Sequence, residues 1–179
     1  MSKKFVISCI DYRFPDYVYS FLEKTNHKFY NTNTAGASLP ISYHNCHHEK
    51  SSEFIQKTHD LKTAVCINLE ISFLLSPVDE IIIINHQDCG AFKYFLPKSG
   101  YPQHLGENNK KELEIQLESL LCAGRFFKNK YPMLLKNVYL QLIDINGTLA
   151  QYNESTKQWE ILIQGHGNDS KGLFYSKKM

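Results

Sequence analysis

The sequence predicts one α/β domain: a central, mainly parallel β-sheet flanked by helices, with a C-terminal hairpin at the sheet edge. Three observations carry this. Segments with helical periodicity alternate with short apolar runs along most of the chain, the order expected of a parallel sheet. The run Ile81–Ile84 is apolar at every position, as in a strand covered on both faces. Asn146-Gly147 lies between two strand-like segments and is a strong hairpin turn. With 179 residues, no internal repeat and no linker, the whole chain 1–179 reads as a single domain.

Phe5–Ser8 is the first strand, a short apolar run of the buried kind. A helix starts at Pro15, because proline suits the first helical turn, and Val18, Phe21 and Leu22 form its inner face. Lys28-Phe29-Tyr30 reads as the second strand and leads into a loop at 31–38. Residues 40–59 are polar and histidine-rich and show no clear period. The next helix is expected from about Asp60 to Leu75, with Leu61, Val65, Leu69 and Phe73 at a spacing of four. Ser76-Pro77 ends it, since the residue before proline avoids the helical region. Glu80–Asn85 is the clearest strand. Asn109 and Glu112 have capping-box spacing ahead of a helix carrying Leu113, Leu117, Leu120, Leu121 and Gly124 on one face. Val138–Asp144 and Thr148–Tyr152 are the two arms of the hairpin.

Composition narrows the functional classes. A net charge of +2 without a dense Lys/Arg block gives no nucleic-acid surface. No apolar run approaches the roughly 20 residues of a membrane span. The apolar start is interrupted by Asp11 and Arg13 and does not make a signal peptide, so a cytoplasmic location is expected. The five cysteines, an odd number, argue against a disulfide framework, and Cys66 and Cys122 read as small buried hydrophobes inside helices.

Cys9 and Cys89 keep different company. Cys9 ends the first strand, His86 ends the isoleucine strand, and Cys89 follows three residues later. Sites in open parallel sheets form outside the carboxyl ends of the strands, so all three reach one edge. Thiolate and imidazole suit zinc, and three protein ligands leave a fourth position open. Gly90 would let the backbone pass close to the metal. Asp11 and Arg13 share the short loop after Cys9, where a carboxylate held ionised by an arginine could accept a proton or bind the metal. His44, Cys46, His47 and His48 are a possible second metal cluster, while His59, His104 and His166 read as surface residues.

Cys9-Ile10-Asp11-Tyr12-Arg13 resembles the Cys-x-Asp-x-Arg motif of the beta-class carbonic anhydrases, and His86-Gln87-Asp88-Cys89-Gly90 resembles their His-x-x-Cys-Gly motif. Asn68-Leu69-Glu70 and Ala35-Gly36 are similar to two further motifs of that family. The resemblance implies one zinc per chain on Cys9, His86 and Cys89, with Asp11 and Arg13 as the catalytic pair. It places Gly36 and Gly90 at the substrate. It implies interconversion of carbon dioxide and bicarbonate by attack of zinc-bound hydroxide, in a homodimer or a higher even oligomer. The sequence also departs from the family pattern. Asn33-Thr34 replaces Arg-Asn, Tyr12 replaces a small residue and could narrow the pocket, residues at about 40–59 read as an insertion, and only eight residues precede Cys9, where a helical arm is usual. These departures keep two other readings open: a hydrolase of carbonyl sulfide or carbon disulfide, and a non-catalytic zinc-stabilised binding or regulatory protein.

Overall fold

The structure, a computed structural model, describes residues 3–24, 28–46 and 52–174, with only the backbone described at 44–46, 52 and 53. Six strands form one sheet in the order β2-β1-β3-β4-β5-β6. They are β1 (Lys3–Ser8), β2 (Phe29–Asn33), β3 (Val78–His86), β4 (Asn137–Ile143), β5 (Leu149–Asn153) and β6 (Gln158–Ile163). The first four run parallel, whereas β5 and β6 run antiparallel to their neighbours. The sheet is therefore mixed, with the expected hairpin as its C-terminal part. Among the described residues, no helix is long and apolar enough to cross a membrane.

The isoleucine run explains why β3 is central. Side chains alternate between the faces of a strand. Ile81 and Ile83 enter one core cluster and Ile82 and Ile84 the other, so each pair seals one face. Helix α1 (Pro15–Lys24) covers the second face with Val18 and Leu22 against Val6, Ile82 and Ile84. Helices α2 (Leu39–Cys46), α3 (Ser52–Leu75) and α5 (Asn109–Lys130) lie on the other side with the larger core. Gly124 lets α5 approach β4 closely, since a Cβ there would sit 3.1 Å from Leu140. The short α4 (Gly90–Phe95) follows Cys89 directly and anchors a third apolar cluster, with Phe92 and Phe95 against Tyr43 and Tyr101.

Several local expectations are corrected. The second strand is Phe29–Asn33, displaced from Lys28–Tyr30 toward the site. Helix α3 begins at Ser52 rather than near Asp60, and α2 occupies much of the stretch without a period. The spacing of four reveals α3 only from Asp60 onward; α2 and the first turns of α3 carry no clear amphipathic period, so periodicity did not reveal them. The edge strand β6 was not anticipated. The cap of α5 is Asn108, whose side chain accepts from the Lys111 backbone N–H at 3.0 Å, not Asn109. Cys66 and Cys122 are buried, but Cys122 is disulfide-bonded, against its reading as a plain apolar filler. His47 and His48 of the possible second cluster lie outside the described residues, as do the side chains of His44 and Cys46. His59, His104 and His166 are exposed.

Candidate metal centre

Parallel pairing of β1 with β3 puts Ser8 opposite Ile84, so both strands end at one edge of the sheet. Cys9 leaves β1 there, and His86 is the last residue of β3. For Cys89 to turn back toward His86, the backbone must reverse within three residues. Asp88 makes that reversal in the left-handed region, at φ +59°. The result is a compact donor set: one ligand atom each from Cys9, His86 and Cys89 lies within 4.8 Å of the others.

The histidine shows which of its nitrogens faces this set. Nδ1 lies 2.8 Å from the Gln87 carbonyl oxygen, which can only accept, so Nδ1 carries the proton. Nε2, the other ring nitrogen, is buried and has no hydrogen-bond partner. Buried polar atoms are rarely left unpaired, and each exception calls for an explanation. A cation among the three donors supplies one.

The two sulfurs lie 3.9 Å apart. Without a cation they share a proton. The Cys89 contact, together with His86 and the Gly36 N–H at 3.3 Å, holds Cys9 well below the usual thiol range despite its burial. The Cys9 sulfur and then burial push Cys89 well above that range. A metal ion would displace the shared proton and settle both thiolates. The donor set thus fits a metal that favours sulfur and nitrogen.

Asp11 and Arg13 stand beside the donors. Arg13 Nε donates to Asp11 Oδ1 at 2.9 Å and Nη2 donates to Oδ2 at 2.7 Å. Burial raises the Asp11 pKa, and the Arg13 hydrogen bonds outweigh it, so the carboxyl is held below its usual range. Asp11 Oδ2 lies 3.8 Å from His86 Nε2, facing the donors without bonding to them.

Beneath the His86–Cys89 loop runs a buried polar layer. Glu112 accepts from the Asp88 backbone N–H at 2.5 Å and from the Tyr101 hydroxyl at 2.6 Å. The Tyr101 oxygen accepts from the Cys89 N–H at 3.2 Å and from Gln116 at 2.9 Å, and Gln116 also donates to the His86 carbonyl at 2.8 Å. Burial raises the Glu112 pKa above its usual value. Sequence reasoning missed this layer because Glu112 fitted a capping box. The signal was present in Glu112, Gln116 and Ser119, a polar stripe at helical spacing on a buried face.

An open, mostly apolar cleft of about 430 Å³ reaches Cys9 and Asp11 and is lined besides by Ile10, Ala35, Gly90, Ala91, Tyr94 and Phe95. Gly90 lies in its wall, and a Cβ there would meet nothing within 4 Å, so space alone does not require this glycine. Gly36 does need to be glycine: its φ is +77°, and a Cβ would sit 2.9 Å from that of Leu39. Tyr12 is 88% exposed and does not line the cleft, so it does not narrow it. Asn33 accepts from the Ser8 hydroxyl at 2.7 Å, and Thr34 is buried behind it.

No family model matches the chain. An uncharacterized protein of Rickettsia bellii is 26% identical over 156 residues, covering 83% of this chain and 80% of that one. Another from Rickettsia conorii is 24% identical over 158 residues, covering 83% and 71%. A crystal structure of a tetrameric beta-carbonic anhydrase from the filamentous ascomycete Sordaria macrospora is 16% identical. It covers 93% of this chain and 83% of its own, at a TM-score of 0.43. At that score the likeness carries no argument.

Proposed function

We propose that the chain is a zinc enzyme that interconverts carbon dioxide and bicarbonate, with one zinc held by Cys9, His86 and Cys89. The observation that carries the reading is the buried, unpartnered His86 Nε2 facing two sulfurs, with an arginine-held carboxylate 3.8 Å away. A purely structural zinc would not need that carboxylate. Zinc bound by three protein ligands supplies a Lewis acid that makes water a nucleophile near neutral pH.

The chain's own residues do the rest. Asp11 accepts a hydrogen bond from the reacting water and so orients its lone pair toward the cleft. Arg13 keeps Asp11 anionic and fixed in the plane of its guanidinium. The apolar walls at Ile10, Ala35, Ala91 and Phe95 admit a small uncharged molecule and bring no free cation to hold bicarbonate back. Gly90 and Gly36 border the substrate, the first by leaving its wall open and the second by aiming its N–H at Cys9. The exposed Ile10 and Tyr94 in the cleft wall and the exposed Tyr12 support a homodimer or a higher even oligomer, and a monomer by light scattering would remove that part.

The deciding experiment is stopped-flow CO2 hydration with the zinc-loaded protein and its Asp11→Asn variant. Catalysed hydration is expected, reduced at least about a hundredfold in the variant. Zinc without catalysis, in parent and variant alike, would favour a non-catalytic zinc protein. Faster turnover of carbonyl sulfide than of CO2 would favour the hydrolase.

A further inference from the structure

Asp88 stands between two of the donors, and the chemistry above gives its side chain no task. Its carboxylate is divided between two cations. One oxygen takes the Lys93 ammonium, and the other accepts from Arg13 Nη1 at 2.9 Å. Its carbonyl oxygen accepts from Arg13 Nη2 at 2.9 Å. Its own N–H is held by the buried Glu112. Arg13 therefore turns one edge of its guanidinium to Asp88 and offers Nε and Nη2 to Asp11. The guanidinium is planar and its donors form a rigid fork, so fixing one edge fixes the other.

This matters because Asp11 and Arg13 lie on a loop exposed at Ile10 (65%) and Tyr12 (88%). An ion pair between two residues of such a loop contributes at most about 1 kcal/mol when nothing else orders it. Asp88 supplies the order, because it belongs to the loop pinned from beneath by Glu112 and Tyr101. Asp11 already faces His86 Nε2 at 3.8 Å, and a change of rotamer would bring its carboxylate among the donors.

We propose that Asp88 is a positioning residue: it clamps Arg13 and thereby keeps the Asp11 carboxylate beside the metal position rather than on it. The consequence for the metal rests on the zinc reading above, while the clamp itself does not. Asp88→Gly tests both, because glycine keeps the left-handed turn without strain.

In the metal-free protein, NMR reads the clamp directly. Arg13 Nε–H should exchange with water at least about tenfold faster in Asp88→Gly than in the parent. Equal exchange would overturn the clamp, whether or not the protein hydrates CO2. With Co2+ in place of zinc, azide binding at the open position is followed by visible absorption. Asp88→Gly should bind azide at least about tenfold more weakly, and Asp88→Gly with Asp11→Ala should return to within about threefold of the parent. Loss of a negative charge alone would tighten an anion, so electrostatics predicts the opposite sign. Unchanged azide binding, or weakening that Asp11→Ala does not restore, would overturn the action through Asp11. A protein that passes both tests yet hydrates no CO2 keeps the clamp and loses the hydratase reading.

Discussion

The loop after β1 and the loop after β3 meet at one edge of the sheet but are held by different forces. The β3 loop is buried: His86 and Cys89 are 2% and 1% exposed, and neutral hydrogen bonds from Tyr101 and Gln116 support it from below. The β1 loop is open to water at Ile10 and Tyr12 and is held by charge, through Arg13. The metal position thus has a rigid wall and an adjustable one. Rigid support suits donors that must stay preorganised, and adjustable support suits the proton-handling role proposed for Asp11.

The largest effect should separate the two walls. Glu112→Ala leaves the Tyr101 hydroxyl and the Asp88 N–H unpaired in the interior, which should remove about 3 kcal/mol of stability in urea unfolding. Glu112→Gln keeps an acceptor and should lose about 1 kcal/mol. Arg13→Ala breaks only half-exposed ion pairs and should lose no more than about 1 kcal/mol. Equal losses for Glu112→Ala and Arg13→Ala would erase the distinction.

A smaller effect should appear in the pH dependence of the metal-free protein, with opposite signs for the two walls. Asp11 has a lowered pKa, so its contribution is present above the ordinary carboxylate range and is lost as pH falls through the lowered value. Glu112 has a raised pKa, so its contribution is present below that range and is lost as pH rises through the raised value. Melting temperatures from about pH 3 to 7 should show less acid sensitivity in Arg13→Ala than in the parent. Glu112→Gln should gain relative to the parent as pH rises. Parallel curves for all three proteins would contradict both assignments.

The smallest effect concerns the two glycines. Gly36→Ala forces a side chain into a left-handed backbone and against Leu39, and should lose about 1–2 kcal/mol. Gly90→Ala meets open space and should stay within about 0.5 kcal/mol of the parent while narrowing the cleft. A large stability loss for Gly90→Ala would show that its role is packing.

The same contrast explains what the sequence disclosed. The α/β order, the central β3 strand and the hairpin were legible because Ile81–Ile84 and Asn146-Gly147 are local signals with one structural meaning. The meeting of Cys9, His86 and Cys89 beside the Asp11–Arg13 ion pair was legible because these residues lie on short loops at strand ends. The support beneath them was not. Asp88 matters through a left-handed turn and a contact with a residue 75 positions away. Tyr101 lies in a loop without periodicity, and Glu112 had a plausible local reading as a cap. Long-range partners of this kind leave no spacing to count.

The central claim is that Cys9, His86 and Cys89 together hold one metal ion. Metal analysis of the purified protein by plasma mass spectrometry, with Cys9→Ser, His86→Ala and Cys89→Ser measured beside it, tests that claim most directly. About one zinc per parent chain and loss of most of it in each variant is expected, because a hydroxyl or a missing imidazole binds zinc far more weakly than the native donor. Zinc retained in full by all three variants would contradict the site.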